Sequence, residues 1–504
     1  YMFREDMISD GIENCLQYVK NFNPEKPYYL PLAYRENMEV MQELLRMRDK
    51  GELDENQSLW FRETKQVEEL FDTENDPHEL KNIASDPANV SILNKLRAEC
   101  ERWMREIDDK GFIIEVNDYS KLSKKYENTE TIDFGSKIIF PGFIDLHNHF
   151  PQTQVIASYG TKLLEWLNKY TFPNESLFVD DEHCDRESKI FLDLLNHNGI
   201  TTSVSFGSVH PNSVEYLFQE AHRRNMCVIA GNVLMDRNAP DTVLEKADKS
   251  YLSSKEIISK WHNVSRCKYA ITPRFAITST PELMEVSQTL CAENKSCYVQ
   301  THLSENIDEI KTTLELFPDQ KDYLSIYDKY KLLSNKTLLA HSIHLEMNEI
   351  ERMKETRSIA VHCPTSNLFL GSGLFKFKEL EEKGVRTAIA TDVGGGTSFS
   401  MLRTLDEAYK IQQLGNYSLN PLASYFWSTM GNAECLGLQD QIGTIKTGNY
   451  ADLIVLNSKS TPLMRHRMEK CKTIGEELFI LQTCLLYTSP SPRDRTRSRM
   501  PSSA

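Results

Sequence analysis

The chain has 504 residues, 40% of them hydrophobic and 10% aromatic, and a formal net charge of −15. That length allows two or three domains with sizeable cores, and the acidic balance excludes the basic surface that binding to nucleic acid or an anionic membrane needs. No apolar run approaches a membrane span, and no signal-peptide pattern stands at Tyr1, where the absence of Met reads as a fragment. The eleven cysteines show no C-x-x-C pair and read as free thiols in a reducing, cytoplasmic setting.

In chain order, the first segment runs to residue 112. ENMEVMQELLRMRDKGELDE at 36–55 is charged and helix-like, and EELFDTENDPHELKNIASDP at 68–87 is loop-rich. These residues predict a helix and loop appendage. PYYLPLAYRENMEVMQELLRMRDKGELDENQSLWF at 27–61 and the E-L-F-D-x-x-x-D-P-x-E-L stretch resemble the C-terminal end of sulfatases. No cysteine stands in a C-x-P-x-R motif that would supply a sulfatase nucleophile, so the segment carries no such chemistry.

The middle segment, to about residue 483, alternates apolar β-branched runs with helical stretches. The runs are IIFPGFIDLHNH (138–149), ITTSVSFGS (200–208), MCVIAGNVLMD (226–236), CKYAITPRF (267–275), CYVQTHLSEN (297–306), TLLAHSIH (337–344), SIAVHCPTSN (358–367) and RTAIATDVGG (386–395). Eight β-then-α units predict an α/β fold, a (β/α)₈ barrel over 141–435, whose active site lies at the C-terminal strand ends. An open doubly wound sheet is the alternative, but it would leave the first and eighth strand ends apart.

Polar residues close these runs. His147 and His149 are one residue apart, so on a strand they share a face and aim two imidazoles at one point. Such a pair suits a divalent metal; a polar strand end facing water, with Asn148, is the other reading. In the barrel, His302 ends strand five and Asp392 strand eight, which completes three imidazoles and a carboxylate. Glu305, three residues beyond His302, is placed to move protons, and His341 to orient the same water. A surface cap and a satisfied core histidine are their plainer readings. Lys268 starts its strand rather than ending it, so no bridging carbamate is expected and one metal is favoured over two. His344 and His362 read as structural.

PGFIDLHNHFPQTQ, LLEWLNKYTFP (163–173), TPRF (272–275), THLSEN (301–306), HCPTSNLFLGSGLF (362–375) and TDVGGGTSFSM (391–401) together resemble the amidohydrolase superfamily, and within it the guanine deaminase family, over 111–483. The resemblance implies one zinc per chain on His147, His149, His302 and Asp392, with ferrous iron as the alternative. It implies Glu305 as proton carrier, with His341 and Asp392 as further catalytic groups, and His149, Gln152, Arg274, Phe275, His302, Glu305 and Asp392 around the substrate. The implied reaction, in purine catabolism, is hydrolysis of guanine to xanthine and ammonia. Arg274 as a plain salt-bridge residue, Phe275 as barrel core, and Trp166 and Phe172 as core packing rather than pocket wall stay open, as does a pterin, cytosine or adenosine derivative as substrate.

Members of this family carry a small β domain built from both chain ends. DFGSKIIFPG (133–142) and IGTIKTGNYADLIVLN (442–457) read as parts of it, within 113–140 and 436–483. Its outer strands have no counterpart here. Sulfatase-like sequence precedes residue 111, and CLLYTSPSPRDRTRSRMPSSA at 484–504 reads as translated adapter sequence, with a disordered basic tail as the alternative. The chain therefore reads as a chimera joined near 108–113, which leaves open a product that does not fold. A homodimer is expected where the small domain is complete.

Overall fold

The computed structural model describes residues 6–11, 16–21, 39–62, 66, 68–72, 75–76, 80–97, 111–127, 129–159 and 163–484. The tail beyond Cys484 and much of the sulfatase-like stretch, including 27–38, lie outside the described residues. The chain divides into two compact units, Tyr1–Gly111 and Phe112–Ala504.

The first unit holds more than helices and loops. Strands β1 (Asp6–Gly11), β2 (Leu16–Asn21) and β3 (Glu68–Asp72) form an antiparallel sheet in that order. The loop-rich reading of 68–87 missed β3 because its apolar pair is only two residues long. Leu70 is buried against Leu93 and Leu96, which is enough to seat the strand. The helix Glu39–Lys50 falls inside the charged stretch that predicted it.

In the second unit, β4 (Ile138–Pro141) precedes the barrel strands β5 (Phe143–His149), β6 (Ile200–Phe206) and β7 (Cys227–Gly231), the last extended by a short β8 (Val233–Leu234). Then come β9 (Cys267–Pro273), β10 (Tyr298–Leu303), β11 (Thr337–His341), β12 (Ile359–His362) and β13 (Arg386–Ile389). Every one falls in one of the eight predicted runs. The order β5-β6-β7-β9-β10-β11-β12-β13 is parallel throughout. The ring closes just past β13, where Asp392 N–H donates to His147 O at 2.9 Å and His149 N–H donates to Val393 O at 2.8 Å. That closure excludes the open sheet.

Helices wrap the strands because their apolar residues fall on one face. Asp181–His197 starts where Asp180 caps the His183 N–H, carries Asp181 and Glu182 in its first turn, and buries Phe191, Leu192 and Leu195. A separate cluster built largely of strand residues, among them Val204, Ile229, Leu338 and Val361, packs with Leu436 and Leu438, and the Tyr298 hydroxyl donates to Leu436 O.

β4 pairs antiparallel with β14 (Leu453–Leu456). Only these two strands of the expected small domain form a sheet among the described residues, and Ile139, Leu453 and Val455 stay exposed. The pair is tied to the barrel by buried Arg266, which donates to both carboxylate oxygens of Asp452 and lies 4.0 Å from the Tyr450 ring. Asp452→Ala strands that guanidinium without its counter-charge. We expect a loss of about 3 kcal/mol in chemical unfolding of the barrel; an unchanged midpoint would show that Arg266 finds water instead.

Candidate active site

The strand ends converge on a cleft of about 410 Å³, lined among others by His149, Gln152, Arg274, Phe275, Glu305 and Asp392. Four residues at these ends hold left-handed backbone although none is glycine: Ser304 (φ 49°), His341 (φ 69°), Ser342 (φ 47°) and Asp392 (φ 51°). Such conformations cost about 1–3 kcal/mol each and persist where surrounding bonds fix them. Here they turn the chain so that side chains point across the barrel mouth.

His147, His149 and His302 bring ring nitrogens within 4.8 Å of one another, and a second group joins His147 with His341, Cys363 and Asp392. His147 Nε2 lies 3.2 Å from Asp392 Oδ1, and His149 Nε2 lies 3.6 Å from the same oxygen. His302 Nδ1 sits 2.7 Å from Arg274 O. A carbonyl only accepts, so Nδ1 carries the proton and Nε2 presents a lone pair. That Nε2 stands 3.1 Å from His149 Nε2, while His147 Nε2, fully buried, has no hydrogen-bond partner. Burial first, then the neighbouring rings, push His149 and His302 well below the usual imidazole range. Buried neutral imidazoles aimed at each other and at one carboxylate fit a divalent cation. Cys363 shares the cluster, but burial drives its thiol well above the ordinary range, which leaves it a protonated neighbour.

The structure overturns the water-facing reading of the His-x-His end. Every residue of β5 is buried. Asn148 donates to Asp145 Oδ2 and to Ser203 Oγ, both at 2.9 Å, because its side chain, between those of His147 and His149, points into the neighbouring strand rather than solvent.

Glu305 is buried at 2% exposure. Its Oε2 is 3.5 Å from His341 Nε2, and its Oε1 accepts from Ser372 Oγ at 2.8 Å. Burial raises this carboxyl above the usual range, and Asp392 adds to the rise against the pull of His341. His341 is raised as well: burial alone would lower it, but Glu305 and Asp392 outweigh that. Asp392 is held low because His147 and His341 outweigh its burial. His341 Nδ1 is fixed 2.9 Å from Asn367 Oδ1.

Arg274 and Phe275 follow β9 and line the cleft with Gln152 and Trp166. Arg274 is both a cleft residue and an ion-pair residue, since its Nη1 lies 2.8 Å from Glu175 Oε2. Phe172 supports Arg274 from below, 5.4 Å from the guanidinium, rather than walling the cleft. The chain between Trp166 and Phe172 makes a π-helical turn, Leu167–Thr171, of the kind that often marks functional sites. His344 Nε2 sits 2.7 Å from Ser372 O, and His362 stacks on Phe375.

Sequence reasoning passed over Glu175, Ser372 and Glu309. Glu175 had one legible signal, an acid inside the aromatic-rich stretch WLNKYTFPNESLF; the others look like ordinary loop and helix polars.

With this geometry in hand, the comparisons are direct. Residues 138–479 match the model of the Amidohydrolase family. The chain belongs to the amidohydrolase family. Among its relatives, Escherichia coli guanine deaminase is 46% identical over 71% of this chain and 82% of its own. Guanine deaminase of Homo sapiens is 32% identical over 70% and 82%. Of solved amidohydrolase-fold structures, E. coli guanine deaminase superposes with a TM-score of 0.73 at 44% identity, covering 74% of this chain and 87% of that one. The C. acetobutylicum guanine deaminase, solved with guanine bound in its active site, gives 0.68 at 30%, covering 75% and 89%.

Behind the site, Glu309 Oε2 accepts the N–H groups of Glu305 and Asn306 at 2.9 and 3.0 Å, and Tyr323 donates to its Oε1 at 2.8 Å. Burial, then the Glu305 charge, push its carboxyl up to about 7 from 4.5. The folded state therefore holds this proton more tightly than the unfolded chain. Its stabilising effect is full below pH 4.5 and is lost as pH rises through about 7, a change of about 3 kcal/mol. Denaturant unfolding across that window should show wild type losing stability relative to Glu309→Gln; parallel curves would mean Glu309 stays ionised throughout.

Proposed function

We propose that this chain is a guanine deaminase, a metal-dependent hydrolase that converts guanine and water to xanthine and ammonia. The observation that carries the reading is the placement of Glu305 between the His/Asp cluster and a cleft faced by Arg274, Gln152 and Phe275, in a chain 46% identical to a guanine deaminase.

His147, His149, His302 and Asp392 would hold one zinc ion, which supplies a water acidified enough to attack at neutral pH. The chain's own residues do the rest. Arg274 donates toward the 6-carbonyl of guanine, and Gln152 bonds a ring nitrogen edge. Phe275 gives the base an apolar face. Glu305, whose carboxyl is raised by burial, takes a proton from the attacking water and gives it to a ring nitrogen as the oxygen adds at C2, then carries the remaining hydroxyl proton to the amine as the C2–N bond breaks and ammonia leaves. His341, held by Asn367, keeps its Nε2 toward Glu305 and the attacking oxygen.

No described helix is long and apolar enough to cross a membrane. The cysteines from Cys184 to Cys471 are free thiols, which supports a reducing, cytoplasmic setting. The homodimer and the sulfatase origin of the first segment rest on the sequence reading, and neither enters the chemistry.

Purified chain given guanine should form xanthine, followed by ultraviolet absorbance. Glu305→Gln should lower kcat by about 10²- to 10⁴-fold with the metal content unchanged, whereas His149→Ala should lose the metal. A folded, zinc-loaded protein that leaves guanine intact would overturn the reading, and turnover of a pterin or cytosine in its place would redirect it within the family.

A further inference from the structure

One buried carboxylate touches both groups that face the ring edge in the cleft. Gln152 Nε2 donates to Glu175 Oε1 at 2.8 Å. Arg274 Nη1 donates to Glu175 Oε2 at 2.8 Å and to Oε1 at 3.0 Å. Exposure is 1% for Gln152, 0% for Glu175 and 2% for Arg274. An amide can usually be turned end for end, but a carboxylate paired with a guanidinium only accepts. Gln152 therefore has one orientation, with its NH₂ toward Glu175 and its oxygen away. That oxygen is buried and has no hydrogen-bond partner. It lies against Gly394, whose φ is +116° and where a Cβ would come within 1.9 Å of it, so the glycine keeps space for this orientation.

We infer that Glu175 is a positioning residue that sets the polarity of base recognition. By taking the Gln152 NH₂ and one Arg274 nitrogen, it leaves the cleft with an acceptor from Gln152 and donors from Arg274. The matching ligand edge presents a ring N–H to the first and a carbonyl to the second. That is the edge of a 6-oxopurine, carried by guanine and by hypoxanthine. 2,6-Diaminopurine keeps the 2-amino group but has an amine in place of the carbonyl and no proton on the adjacent ring nitrogen, so it meets Arg274 donor to donor. The inference rests on the guanine deaminase reading and deepens it: the site rejects a purine on hydrogen-bond polarity, not on size. Sites that leave a buried polar group unpaired in the wrong complex reach large discrimination.

The test compares kcat/KM for guanine and 2,6-diaminopurine in the zinc-loaded full chain, with hypoxanthine as a competitor. Wild type should prefer guanine by about 10³-fold or more, and hypoxanthine should compete. In Glu175→Gln the amide of Gln152 is free to turn, so the preference should narrow about tenfold or more while KM for guanine rises more than kcat falls. Glu175→Asp, which keeps an acceptor-only group, should retain the preference and serves as the second variant if the amide does not fold. Equal loss on both substrates with the ratio intact would reduce Glu175 to a structural role and overturn the inference. So would wild type that uses both purines alike. Absence of guanine turnover in wild type would instead strike at the proposed function.

Discussion

The closing of the barrel between its first and last strands is the constraint on which everything else depends. Two of the histidines lie on β5 and the carboxylate that faces them follows β13. The seam is made by main chain, through the Asp392 and His149 N–H bonds to His147 O and Val393 O, and by the Asp145 carboxylate. Asp145 is fully buried and takes the N–H and hydroxyl of Thr391, 246 residues away in sequence. A buried acid without those donors would carry a heavy desolvation cost. The same bonds that close the sheet thus bring His147 and Asp392 within 3.2 Å.

Water exclusion then sets the chemistry. The imidazoles stay neutral because burial penalises their charged form, which leaves lone pairs for a cation. Asp392 stays ionised because His147 and His341 outweigh its burial. Glu305, with burial dominant and a hydroxyl from Ser372 as its partner, is pushed toward the range in which a carboxyl can both give and take a proton. One desolvated pocket holds carboxyls with opposite tendencies, and the difference comes from their neighbours.

The strain at Ser304, His341 and Asp392 belongs to the same design. Each sits where a strand must stop running along the barrel and turn a side chain over its mouth. Their neighbours hold them there: Ser342 N–H bonds to Leu303 O at 2.9 Å, and Ile343 N–H bonds to Ser304 O at 3.2 Å. The loop carrying Glu305 is fixed in turn by Glu309, whose carboxyl accepts the N–H groups of Glu305 and Asn306.

The eight runs, the His-x-His pair, the His302–Glu305 spacing and the Thr391–Asp392 end were legible in the sequence, because alternation, buried parallel strands and polar strand ends are local patterns. They were enough to predict the barrel and to pick out the histidines and the aspartate that cluster at its mouth. The β3 strand was not, since two apolar residues among acids give no period, and Leu70 is seated by Leu93 and Leu96 from a later helix. Asn148 looked water-facing because nothing local records that Asp145 and Ser203 would receive it. Glu175 showed only as an acid inside an aromatic-rich stretch, and Arg274 could be read as salt bridge or substrate contact. Folding gives it the ion pair and a place on the cleft wall, by setting one carboxylate against a guanidinium and an amide that lie 99 and 23 residues away in sequence. The sequence by itself determined which residues could do the chemistry. Only the tertiary structure decided their charge states and hydrogen-bond polarity, because both depend on burial and on partners brought in from distant strands.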